Sequence, residues 1–117
     1  MAEQAVRLRP GGAQTNTLGV ARYRAGDMVG AIEELKKSEA LDPGRLLALN
    51  GFFLAMAHLH LGQKVEARVW FDKADAWMEK HHPNDQELVR FRAEAGDQLR
   101  LQNANTMMPN GAAAFAR

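Results

Sequence analysis

The feature that most constrains this chain is a recurrence at 36 residues. Gly26 and Gly62 stand 36 residues apart, as do Ala31 and Ala67, and each glycine separates two stretches with helical apolar spacing. Before Gly26, Leu18, Ala21 and Ala25 form one stripe and Asn16, Val20 and Tyr23 another. After it, Ala31, Ile32, Leu35, Ser38 and Leu41 share one face, and Glu33, Glu34, Lys36 and Lys37 fill the opposite one. Glu33 and Lys37 have the spacing of an i,i+4 pair. Gly26 is placed to end the first helix, Asp27 to cap the second, and Pro43-Gly44 to stop it. Two helices joined by so short a turn pack antiparallel.

The same grammar returns downstream. A helix from Leu46 to Leu61 is apolar nearly all round, which predicts burial on more than one side and a central position. Gly62 ends it, and the next helix carries Ala67, Phe71, Ala74 and Met78 on one face. Upstream, Ala5, Leu8 and Pro10 precede Ser38, Leu41 and Pro43 by 33 residues, so residues 1–12 read as the remnant of an earlier unit. Beyond Pro83, Asn84 and Glu87 suit a capping box. They open a fifth helix, with Leu88, Phe91, Ala95 and Leu99 on one side and charges elsewhere. One buried and one wet face is the pattern of a terminal cap. The reading is therefore all-α: antiparallel helix-turn-helix units at 13–44 and 45–82, a cap helix at 84–102, and a tail at 103–117 without sustained period, expected to be disordered.

Composition removes several function classes. There is no cysteine among the 117 residues, hence no disulfide, thiolate chemistry or Cys-based zinc site. The formal net charge is only +1 and the signs are interspersed, which argues against nucleic-acid binding by bulk electrostatics. The N-terminus lacks an apolar signal region, and the 46–61 stretch is broken by Asn50, His58 and His60 and too short for a bilayer. A cytoplasmic protein without membrane or nucleic-acid partners is expected.

Catalytic chemistry finds no foothold. His58 and His60 project about 200° apart on a helix and cannot share an ion. His81 and His82 lie near Asp85 without a third ligand, so no metal or other cofactor is expected. Glu33-Glu34 belongs to a charged solvent face rather than a general acid/base pair. Gly11-Gly12 has neither a strand before it nor a GK[ST] after it, and reads as a loop. Trp70 and Trp77 suit packing over the cap helix, with a partner anchor as the sharper alternative. Arg90, Arg92 and Arg100 alternate with Glu87, Glu94 and Asp97 and read as a solvated face.

Helix-turn-helix units with a period near 34 residues are the mark of the tetratricopeptide repeat, and this sequence resembles that family. The matching residues are Leu18-Gly19, Gly26-Asp27, Ala31, Leu35 and Leu41-Asp42-Pro43, then Leu54-Ala55, Gly62, Ala67, Phe71 and Ala74. The segments are similar to repeats at the C-terminal end of large bacterial multidomain proteins. Where members usually carry a bulky aromatic, this chain has Thr15 and Gly51, so a void or a collapse is expected there.

The resemblance implies a short right-handed solenoid and a non-catalytic module that binds a protein or peptide in a concave groove. Carried over residue by residue, the groove lining is Asn16, Val20, Tyr23, Arg24, Phe52, Met56, Leu59 and His60. Such a lining favours an apolar peptide or helix over an acidic C-terminal tail. The competing reading is that Phe52, Met56 and Leu59 simply pack against the preceding unit or the cap helix. A structural spacer within a larger protein is the alternative function, and the open N-terminal repeat face is a candidate for self-association.

Overall fold

Gly26 and Gly62 have φ of 91° and 78°, the left-handed conformation that glycine adopts without steric cost. Each closes a helix in the same way. Gly26 N donates to Tyr23 O and Asp27 N to Arg22 O; Gly62 N donates to Leu59 O and Gln63 N to His58 O. These are two Schellman turns in register with the 36-residue recurrence. The side chains around them correspond as well: Arg22 pairs with Asp27 at 3.1 Å, and the residues 36 positions on, His58 and Gln63, are 2.7 Å apart through Nδ1 and Oε1.

The computed structural model describes residues 11–44 and 46–107, with side chains as far as residue 101. Among them are five helices and no strand: α1 (Gly12–Arg24), α2 (Met28–Leu41), α3 (Leu47–His60), α4 (Lys64–His81) and α5 (Gln86–Met107). Each helix packs on the next, and α3 and α5 also meet directly, an arrangement consistent with a stack of helical repeats. The expected remnant at 1–12 lies outside the described residues, except that Gly11 caps α1 and Gly12 begins it.

Helix α3 is the centre. Every residue from Asn50 to Leu59 is buried, because α2, α4 and α5 cover it from three directions. Gly51 explains the missing aromatic. A Cβ there would lie 2.7 Å from Ala74 Cβ and 3.0 Å from Trp70 O, so α4 has moved into the space a large side chain would fill. Gly19 permits a similarly close approach in the first hairpin, where a Cβ would meet Leu35 Cγ at 2.7 Å.

A buried polar chain ties the two hairpins together. Ser38 Oγ donates to Gly12 O at 2.7 Å, Asn50 Nδ2 to Ser38 Oγ at 3.1 Å, and Asn16 Nδ2 to Asn50 Oδ1 at 2.7 Å. Buried amides need such partners, and here they satisfy one another across three helices.

Several expectations are corrected. Leu41 is exposed, because α2 ends at its turn while the buried face runs through Ala31, Leu35 and Ser38. Leu18, Ala21 and Ala25 also face solvent. Lys37 pairs with Glu34 at 3.5 Å rather than with Glu33. Asp85, not Asn84, caps α5, its Oδ1 accepting from Leu88 N at 3.1 Å. Helix α5 continues past residue 102 to Met107, so residues 103–107 belong to it. Elongation adds a backbone hydrogen bond per residue, and between residue 102 and Pro109 the sequence holds neither glycine nor proline. The remainder of the expected tail lies outside the described residues.

Candidate functional site

Helix α5 lies against α3 with Leu88, Phe91, Ala95 and Leu99 turned inward. Phe91 meets Phe53 edge-on at 4.8 Å, and Leu99 joins Leu59, Ala67 and Phe71 in a second apolar cluster. Arg92 anchors the helix to α4 through Asp75 at 3.1 Å and Glu79 at 2.6 Å. Hydrogen bonds to these two carboxylates hold the guanidinium even more firmly protonated than usual.

Farther along, α5 reaches the first hairpin. Gln98 Nε2 donates to Tyr23 Oη at 3.3 Å and rests 3.3 Å from Met56 Sδ. The Tyr23 hydroxyl also lies 3.4 Å from His60 Nε2. Burial pushes the Tyr23 phenol above its ordinary range; the Gln98 hydrogen bond opposes this, the charge of Glu94 adds to it and that of Arg24 counters it.

This placement divides the eight expected groove residues. Phe52, Met56 and Leu59 belong to the core, facing α4 and α5: Phe52 is fully buried with its ring 5.6 Å from that of Phe71. Their apolar character reflects the central position of α3. Asn16 and Tyr23 are nearly buried and engaged in the hydrogen bonds described. His60 is exposed beside Tyr23. Val20, half-buried against the core, and the exposed Arg24 line, with Asn16, a groove of about 330 Å³ where α1, α3 and α5 converge.

The other groove residues are Thr17, Leu49, Phe53, Glu87, Arg90 and Phe91. Phe53 and Phe91 form its floor, and the Arg24 and Arg90 guanidinium groups lie 5.7 and 5.3 Å from their respective ring centres. Three helices thus supply an aromatic base with polar and charged walls. The volume is at the small end for ligand pockets and suits a few side chains rather than a whole cofactor. In the sequence alone Arg90 and Glu87 are one stretch of solvated charge, because only the approach of α5 to α3 gives them a common groove with Arg24.

A second hollow of about 160 Å³ lies at the α4–α5 turn, lined by Leu46, Leu49, Trp77, His82 and Asp85 among others. Trp77 stacks on His81 at 4.5 Å and packs against the main core, as expected for a packing residue. Among the described residues no three His, Asp or Glu side chains converge as metal ligands, and no helix is long and apolar enough to cross a membrane. His58 is buried with Nδ1 engaged by Gln63, on the opposite side of α3 from the exposed His60. The chain matches no protein-family model, no curated protein and no solved structure.

Proposed function

We propose that this chain is a non-catalytic protein-interaction module of tetratricopeptide type, acting in the cytoplasm and holding a peptide or helix in the groove between α1, α3 and α5. Support for the repeat assignment comes from the two Schellman turns at Gly26 and Gly62, with equivalent side-chain pairs around them. The interaction reading is carried by one observation: a cleft with an aromatic floor stays open beside the cap helix where three helices converge. Helical repeats use surfaces of this kind for binding.

The burial of Phe52, Met56 and Leu59 favours a second reading, a spacer whose apolar residues serve only its own packing. Selection of displayed random dodecapeptides separates the two. The interaction reading requires enriched peptides that bind the full chain and lose binding to Val20→Glu, with the helical signal and melting temperature of that variant retained. No enrichment, or binding indifferent to Val20→Glu, favours the spacer.

A further inference from the structure

Six arginines fall within the described residues, and four of them face a carboxylate: Arg22 with Asp27, Arg68 with Asp72, Arg92 with Asp75 and Glu79, and Arg100 with Asp97. The two without a carboxylate partner among the described residues, Arg24 and Arg90, are the two that line the groove. They belong to different helices, α1 and α5, and each guanidinium lies over an aromatic ring of the floor. Contact with a ring face orients the planar fork and limits its motion, while its N–H edges remain available for hydrogen bonds. A carboxylate entering between them gains charge-assisted hydrogen bonds from the guanidinium edges. Val20 and Leu49 offer apolar contact within the same groove.

On the reading of the groove as a peptide site, we infer that its ligand is a peptide segment with an acidic side chain next to an aliphatic or aromatic one. The carboxylate is held by Arg24 and Arg90, and the apolar side chain rests against Val20 and Leu49. Glu87, one turn before Arg90 and also in the groove, disfavours a polyanion such as a nucleic acid, as does the overall charge of +1.

The test is the sequence of the peptides that the dodecapeptide selection enriches on the full-length protein, together with their affinity for Arg24→Gln/Arg90→Gln, whose two sites are exposed. The expected result is Asp or Glu beside an apolar residue. The double variant then weakens binding about tenfold, and replacing the peptide acid by its amide weakens binding to wild type about as much. Amide and acid peptides bind the double variant within about twofold of one another. Enriched peptides that are purely apolar, and that Val20→Glu still abolishes, overturn the acidic specificity but leave the groove reading standing. Peptides indifferent to Val20→Glu, or no peptides at all, overturn both. Competition by a labelled oligouridylate at equal concentration overturns the peptide assignment in favour of a polyanion.

Discussion

Asn16 donates from its side-chain amide to Oδ1 of Asn50 at 2.7 Å, joining the first helices of the two hairpins inside the core. Asn50 is completely buried and passes the chain on to Ser38, so one amide organises three helices. Truncating Asn50 to Ala leaves the Asn16 amide without its acceptor and Ser38 without its donor. The expected loss is about 2–3 kcal/mol of unfolding free energy by urea denaturation. A loss below about 0.5 kcal/mol would mean that the chain of amides contributes little beyond packing.

Phe52 lies in the interior rather than in the groove, and its substitution should behave accordingly. Phe52→Ala is expected to cost about 3–5 kcal/mol, because a fully buried ring leaves a cavity among close-packed helices. Arg24→Ala, at an exposed position, is expected to stay within about 0.5 kcal/mol of wild type. Thermal melts of both variants check the order, and a reversal would return Phe52 to the surface.

Two glycines distinguish conformation from space. At Gly62, φ is 78° and nothing lies within 4 Å of an added Cβ, so asparagine, which tolerates the left-handed region, should be better accepted than alanine. At Gly51, Ala74 Cβ is 2.7 Å from the position of a Cβ, so the smaller alanine should be better accepted than asparagine. Gly51→Ala itself should cost about 1–3 kcal/mol through overpacking. Equal ranking of the two substituents at both sites contradicts this division.

Tyr23 is the only tyrosine, so the absorbance of its phenolate reports on one group. Burial raises its pKa, meaning that the folded protein holds the phenolic proton more tightly than the unfolded chain does. The associated stability is complete below the ordinary tyrosine range and is lost as pH rises through the higher folded value. The titration should therefore lie above that of a free tyrosine and return to it in denaturant. Tyr23→Phe should remove this part of the alkaline loss of stability.

Asp27 shows the opposite sign. Its carboxylate accepts from Gly30 N at 2.9 Å, which holds its pKa below the usual carboxylate range, and the Arg22 guanidinium adds to the effect. The contribution is complete above the ordinary aspartate range and is lost as pH falls through the lowered folded value. A carbon-detected NMR titration of Asp27 should show this depression, reduced but not abolished in Arg22→Gln. A larger effect of Arg22→Gln than of opening the helix cap would reverse the order of causes.

The hairpins themselves were legible in the sequence, because their determinants are local. Gly26 and Gly62 terminate helices wherever they fold, Asp27 caps from its own backbone position, and the 36-residue interval sets the two turns in register. The apolarity of 46–61 on nearly every side announces the central helix, since a helix covered from three directions has no wet face to mark. That same uniformity hid which of its residues would reach a groove. Phe52, Met56 and Leu59 differ from Leu49 and Phe53 only in rotation about α3, and that rotation has meaning only once α4 and α5 are in place. The approach of α5 to α3 and to Tyr23 was decided by tertiary structure, through Phe53–Phe91 packing and the Gln98–Tyr23 contact across 75 residues. It converts Arg90 from one charge in an alternating series into the counterpart of Arg24. Helical periodicity specifies which face a residue occupies, but only the packing of a distant helix determines what that face meets.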